Sequence, residues 1–511
     1  MSYTSSFVHD FIRQLKHNQP ADPIARHAEI PWFDIDNASD RELLVTHSSP
    51  CSFTLGTGAS IYTDVLIPAL TTARHEVILV TCFWARSTTL SALHEALVQL
   101  AAHRCALLAD ARSKATAPIP PLRVRICFSS RSLLQKLLHP QSRDGYVYPP
   151  SSWKAVLGLP EPALLESAAI QLQVKSHFFL PFSVMHPKFV VVDRQRAFIP
   201  SCNVSWEPWL EGCVEVTGAA VSGLLSFYSR TWDPECGGTE PPLERNHLIE
   251  PPAFDVRMAG LILVASTAHR RVALLPESPS PIPTLLLPSS CHRNPHFRPF
   301  PWQKDPEPPA TPLNVALLTL LNGAGRSIYI QTPNLTCQAV LRALLDALRR
   351  GVDVAVVTSR NLMLLEQLVT AGTTTSRCIR SLLRRYKKLE RRLAENHPAD
   401  VEAGHASLGR LRISYFCPRP GLKTRTQRRQ RPSPAQVEEE EEEPVHSHLK
   451  LIMVDDEYTV LGSGNLDRAS WYTSQELGIL FQSSNFANTV GAEVDGVLAD
   501  RLDLVFDSAV H

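Results

Sequence analysis

The strongest constraint on this chain is that it repeats itself. In the first half a helical stretch (59–73) leads into the apolar strand HEVILVT (75–81). A second helical stretch (about 89–110) and the strand RVRICF (123–128) follow. In the second half a helical stretch (313–321) leads into RSIYIQT (326–332), then a helix (about 338–350) and the strand VDVAVVTS (352–359). Each half adds one more strand, IQLQV (170–174) and LRISYF (411–416). Apolar runs spaced by helical lengths predict α/β layering, and their recurrence in the same order predicts two similar lobes.

The repeat carries a polar string. His186, Lys188 and Asp193 form His-x-Lys-x-x-x-x-Asp, followed by Ser201 and Asn203. His448, Lys450 and Asp455 repeat it, followed at the same distance by Ser463 and Asn465. Carboxylates follow at a similar interval, Glu215 in CVEV and Glu476 in SQELGIL. Side chains at i and i+2 of a strand face the same way, so His and Lys project together. Imidazole supplies a nucleophile and ammonium takes up charge on phosphoryl oxygens, so each copy suits half of a phosphodiester site. Cleavage through a covalent intermediate needs two histidines, one to attack and one to move protons, and two paired halves provide them. Ser201, Asn203, Ser463 and Asn465 can bind the phosphate. Glu215 and Glu476 are suited to hold the second ring nitrogen of a histidine. Asp193 and Asp455 complete the candidate catalytic set, chiefly as turn-stabilising residues, because DRQRA and DDEYT read as hairpin turns.

Composition narrows the class. With 511 residues, 44% of them hydrophobic, and a net charge of +1, the chain fits an ordinary globular protein of two or three domains. That balance gives no global attraction to nucleic acid or membrane. Eleven scattered cysteines without C-x-x-C argue against a disulfide framework or structural zinc. His446 and His448 alternate on one strand, but Lys450 on the same face opposes a cation, so neither metal nor cofactor is expected. There is no signal-peptide core, and the best apolar run, MAGLILVASTA, is about half the roughly 20 residues of a spanning helix. The expected location is intracellular, cytoplasmic or at a membrane surface, and the expected state a monomer.

The boundaries that follow are an N-terminal extension (1–50), a first half (51–236), a proline-rich linker (237–310) and a second half (311–511). The second half holds a charged insertion at about 417–445, with KTRTQRRQR (423–431) and six glutamates, Glu438 to Glu443. Such blocks are expected to be disordered or to form a charged flap. The amphipathic segment 376–395 is expected to be a solvated surface helix, or one meeting anionic membrane or a nucleic-acid backbone.

The duplicated motif resembles the phospholipase D superfamily, whose pattern is His-x-Lys-x4-Asp followed by Gly-Ser-x-Asn. HLKLIMVDDEYTVLGSGNLDRAS matches throughout, and GSGNLDRAS, TPNL and RRGVDVAVV look like the cardiolipin synthase and phosphatidyltransferase branch. The resemblance spans most of 55–235 and 311–485. It implies a two-lobed, pseudo-symmetric phospholipase D-like α/β sandwich with the active site at the seam, and a phosphohistidine mechanism without a cofactor. It would make His186 the nucleophile and His448 the general acid/base, with Lys188, Lys450, Asn203 and Asn465 binding phosphate. The expected substrate is a glycerophospholipid. A nucleic-acid phosphodiester and a catalytically silent phospholipid-binding role remain alternatives. Pro200 stands where the family has glycine, which bears on the first half-site's hold on phosphate.

Overall fold

The computed structural model describes residues 6–18, 31–114, 119–132, 135–136, 139, 144–179, 183–233, 264–274, 281–290, 306–396, 407–420 and 440–510. The first lobe contains β1 (Val45–Thr57), β2 (Glu76–Phe83), β3 (Leu122–Ser130), β4 (Ile170–Ser176), β5 (Phe189–Val192), β6 (Arg196–Pro200) and β7 (Trp209–Gly218). They lie side by side as β4-β3-β2-β5-β6-β7-β1, with β2 to β4 parallel and the other pairings antiparallel. After the short strands β8 (Val264–Ser266) and β9 (Arg270–Ala273) comes β10 (Ile282–Ser289). The second lobe continues with β11 (Ser327–Thr332), β12 (Asp353–Ser359), β13 (Leu411–Phe416), β14 (Glu440–Glu442) and β15 (His446–Ser447). It closes with β16 (Leu451–Val454), β17 (Tyr458–Gly462), β18 (Glu476–Gln482) and β19 (Leu502–Asp507). Here the order is β13-β12-β11-β16-β17-β18-β10, the first lobe's order over again. β1 and β10 pair antiparallel, Val45 opposite Leu285, so the two lobes share one sheet.

Helices cover the sheet. α1 is Ser6–Asn18, α2 Thr88–Ser113, α3 Ala219–Trp232, α4 Pro312–Gly323, α5 Gln338–Arg349, α6 Leu364–Ala371, α7 Thr375–Asn396, α8 Arg468–Tyr472 and α9 Ser484–Leu498. α2 and α5 are the crossovers that parallel neighbours require. α5 buries Val340, Leu341, Leu344, Leu345 and Leu348, the stripe expected of a helix lying on a sheet. Among the described residues no helix is long and apolar enough to cross a membrane.

Three expectations need correction, and a fourth, that 376–395 is a surface helix, is made specific. The proline-rich stretch 237–310 is more than linker, because β10 is an internal strand between β1 and β18. The N-terminal extension belongs to the fold: α1 buries Phe7, Val8, Phe11 and Leu15 beside α4, and β1 already begins at Val45. The glutamate run is ordered at its end, where β14 pairs with β8 and Glu443 accepts two 2.8 Å bonds from the fully buried Arg501. KTRTQRRQR lies outside the described residues. Finally, the apolar stripe of α7 is covered by protein. Ile379, Leu382 and Tyr386 are buried in the main core, and the Tyr386 ring sits 6.0 Å from that of Phe506. Only its basic face meets solvent.

Candidate active site

Each His-x-Lys string begins just before a short antiparallel hairpin, β5–β6 or β16–β17, and the aspartate ends its first strand. Asp193 and Arg194 have φ of 51° and 56°, and Asp455 and Asp456 have 57° and 53°. Paired left-handed residues make the tight turn that suits strand twist, and aspartate tolerates that conformation. Asp193 accepts from the backbone N–H groups of Arg74, His75 and Glu76 at the start of β2. Asp455 does the same for Gly325, Arg326 and Ser327 at the start of β11. At about 3.3 Å per residue, both lie on the order of 20 Å from their histidines, so they brace the sheet and do not touch the reacting centre.

The histidines meet at the seam by an exchange. His186 N–H donates to Gln475 O (3.0 Å), which sets its ring beside Glu476 of the other lobe. His186 Nδ1 lies 2.8 Å from Glu476 Oε2. Symmetrically, His448 N–H donates to Leu210 O (2.8 Å), and its Nδ1 lies 2.8 Å from Glu211 Oε1. Each histidine is thus held by the carboxylate of the opposite half. The first-half carboxylate is Glu211, not Glu215. Glu215 accepts from Arg196 Nε (2.9 Å) and Ser52 Oγ (3.0 Å), inside the first lobe.

The serines also take a different part. Ser201 Oγ donates to Glu211 and accepts from Gly212 N (2.9 Å); Ser463 Oγ donates to Glu476 and accepts from Leu477 N (3.0 Å). They orient the glutamates. Gly462, the family's glycine, has φ +148° and no room for a Cβ, which would lie 2.2 Å from Leu477 O. Pro200 cannot copy that conformation. Even so, Ser201 N donates to Gly212 O (2.8 Å) as Ser463 N donates to Leu477 O (2.9 Å). The two strands reconverge at the serine, and the proline leaves its position intact.

Both lysines are buried, Lys188 with its Nζ 2.8 Å from His186 O and Lys450 with its Nζ 2.7 Å from His448 O. Lys450 Nζ also lies 2.8 Å from both ring nitrogens of His448. Asn203 Oδ1 accepts from Phe83 N (3.3 Å), and Asn465 Nδ2 donates to Asp467 Oδ2 (3.2 Å), the cap of α8. Asn465 Oδ1 is buried with no protein donor among the described residues. Trp209, which the motif does not mark, lays its ring 4.8 Å from that of His448.

Burial dominates the electrostatics. It pushes His448 down to about 3, against the pull of Glu211 and with the help of Lys450. His186 is also lowered by burial, opposed by Glu476. Burial, partly offset by Glu211, takes Lys450 down to about 7. Glu211 goes the other way: burial would raise it, but His448 and Lys450 hold it below the usual carboxylate range. Burial therefore favours neutral imidazoles, each aligned by a carboxylate of the opposite half and each beside a buried lysine.

Glu211 and Trp209 escaped the sequence reading. The signal for Glu211 was the register: Glu211-Gly212 stands opposite Ser201 on β7 as Glu476-Leu477 stands opposite Ser463 on β18, but ten residues after its serine instead of thirteen.

Residues 317–498 match the family model for the cardiolipin synthase PLD-like domain. No curated protein matches the chain. Among solved structures, phosphatidylserine synthase from Haemophilus influenzae Rd KW20 is similar over 91% of this chain and 90% of its own, at 14% identity and a TM-score of 0.47. Nuc from Salmonella typhimurium, a phospholipase D family member, is similar over 43% of this chain and 96% of its own, at 17% identity and a TM-score of 0.24. NucT from Helicobacter pylori is similar over 37% and 87%, at 12% identity and a TM-score of 0.23. The family match lies in the second half, so residues 317–498 form a phospholipase D-like domain, and the first half repeats that half's strand order and its histidine motif.

Proposed function

We propose that the protein is a phospholipase D-type phosphodiesterase or phosphatidyltransferase that acts on glycerophospholipids through a phosphohistidine. The observation that carries this reading is the exchange of Glu211 and Glu476 across the seam, which aligns two histidines beside two buried lysines. His186 Nε2 attacks phosphorus, the bond to the leaving alcohol oxygen breaks, and that oxygen takes a proton from His448. The acceptor, water or an alcohol, then gives its proton to His448 and attacks phosphorus, and the P–N bond breaks. Lys188, Lys450, Asn203 and Asn465 take the phosphoryl oxygens. His448 is neutral at rest because burial and Lys450 disfavour a second cation. The negative phosphate arriving beside Lys450 offsets that repulsion, so His448 takes up a second proton from solvent as substrate binds and has it to give to the leaving oxygen.

The match to a cardiolipin synthase-type domain favours a lipid. The exposed basic face of α7 is the observation that favours a nucleic-acid phosphodiester. A catalytically silent role is disfavoured by Ser201, which keeps its bonds beside Pro200. The test incubates purified protein, with excess chelator, with labelled phosphatidylglycerol, phosphatidylcholine or single-stranded DNA. Lipid turnover and an acid-labile phosphoryl group on the peptide containing His186 are expected. Cleavage of DNA alone, or activity that returns only with a divalent ion, would overturn the proposal.

A further inference from the structure

The helix α6 is out of place for a helix in water. Leu364, Leu365, Leu368 and Val369 form one apolar face and are 39%, 77%, 45% and 53% exposed. Single exposed apolar residues are ordinary, but four contiguous ones on a two-turn helix mark a docking surface.

Its position shows what docks. α6 packs against α8, which starts three residues after Asn465. Gln367 of α6 accepts from Thr375 N (2.6 Å), Thr375 Oγ1 accepts from Leu335 N (3.0 Å), and Leu335 bridges to Leu466, the neighbour of Asn465. The charges of Asp467 and Glu476 reach the carboxyl of Glu366 on the same helix. α6 thus stands at the rim of the catalytic centre. On the other lobe, three residues after Asn203, Trp206 is 51% exposed. Indole and leucine at one rim are what an interface between water and acyl chains accommodates.

Charge identifies the surface further. α7 follows α6 directly and presents eight lysines and arginines to solvent, from Arg377 to Arg392, against two glutamates. Its own apolar face is sealed in the core, so α7 brings charge and α6 brings grease. A protein partner would need only the apolar face and a nucleic acid only the basic one. An anionic bilayer uses both.

We propose that α6, with Trp206 across the seam, inserts into the surface of an anionic phospholipid bilayer while the basic face of α7 binds its headgroups, placing the seam over lipid phosphates. This rests on the phospholipid reading of the site and adds how the substrate is reached.

The experiment co-sediments full-length protein with vesicles of phosphatidylcholine, or of phosphatidylcholine mixed with phosphatidylglycerol. It compares wild type with the double variant Leu365→Asp, Leu368→Asp and with Arg384→Glu, Lys388→Glu. Wild type should bind the mixed vesicles, and each variant should bind them at least about tenfold more weakly. Turnover of a soluble phosphodiester and the melting temperature should stay unchanged, because these side chains are exposed and outside the catalytic machinery; Leu365→Ser, Leu368→Ser serves as a milder check. Equal binding by the leucine variants, or no vesicle binding by wild type, overturns the proposal. So does a basic face that holds single-stranded DNA while vesicle binding ignores its reversal. Vesicle binding without lipid turnover leaves the docking intact and removes the phospholipid chemistry. Turnover of detergent-dispersed lipid without vesicle binding does the reverse.

Discussion

Glu211→Gln keeps the side chain's shape and a partner for Ser201, yet removes the charge 2.8 Å from His448 Nδ1. Both side chains are almost fully buried, 3% and 5% exposed, so solvent does not screen the interaction. A positioned acid–base group contributes about 10²- to 10⁴-fold to rate. The amide preserves part of the alignment and none of the charge, so kcat should fall by about 10²- to 10³-fold, or roughly 2.7–4 kcal/mol. The pH profile moves in a defined direction. Glu211 raises the pKa of His448 against burial and Lys450, so without it the protonated form is lost at lower pH. The basic limb of kcat should therefore shift down. Glu215→Gln is the control. It weakens the Arg196 and Ser52 bonds at a cost of about 1.5–3 kcal/mol in stability. Its kcat should stay within about threefold of wild type, under about 0.7 kcal/mol. Initial rates on a soluble phosphodiester across pH, alongside thermal melts, decide the matter. If Glu215→Gln is the slow enzyme and Glu211→Gln the normal one, the crossed site is wrong.

His186→Ala and His448→Ala should each lower turnover by about 10²- to 10⁴-fold, with the double variant little worse than either; additive losses would mean two independent sites. Asp193→Ala and Asp455→Ala each strip the acceptor from three backbone N–H groups, so each should lower stability by about 2–4 kcal/mol with kcat per folded molecule unchanged. A normal melt with collapsed kcat would return these residues to the chemistry. Burial would raise Glu443, but bonds from Arg501 hold it below its usual value. Its contribution is therefore complete above the unfolded carboxylate value of about 4.3 and is lost as pH falls through the lower folded value. Glu443→Gln should cost about 3–5 kcal/mol at neutral pH and flatten the stability curve below about pH 5, as read from urea midpoints; an unchanged acid limb would count against the pair.

The sequence disclosed what local rules govern. Apolar periodicity placed β2, β3, β11 and β12, and the i, i+2 rule placed each lysine with its histidine. The turn chemistry of aspartate was visible in DRQRA and DDEYT. What it hid were properties of contact between distant segments. β10 contains Pro283 and Pro288, which read as linker, yet Pro283 faces only β1 and Pro288 only β18, so neither must serve two ladders. Counting residues after the asparagine selected Glu215, because spacing within one half carries no information about which carboxylate faces the other half. The stripe of α7 announced an apolar face correctly, but periodicity does not say whether protein or lipid covers it.

The crossing of Glu211 and Glu476 has a consequence in time. A chain emerging from the ribosome completes His186, Lys188 and the whole first lobe long before Glu476 exists, and domains generally fold in that order. Until β18 docks, the His186 ring has no carboxylate to orient it and no second histidine to protonate a leaving group. On the proposed mechanism, the half-made protein has no means of cleaving a phosphodiester. On that mechanism, activity is withheld until both lobes are made and closed on one another, so a truncated product stays inert.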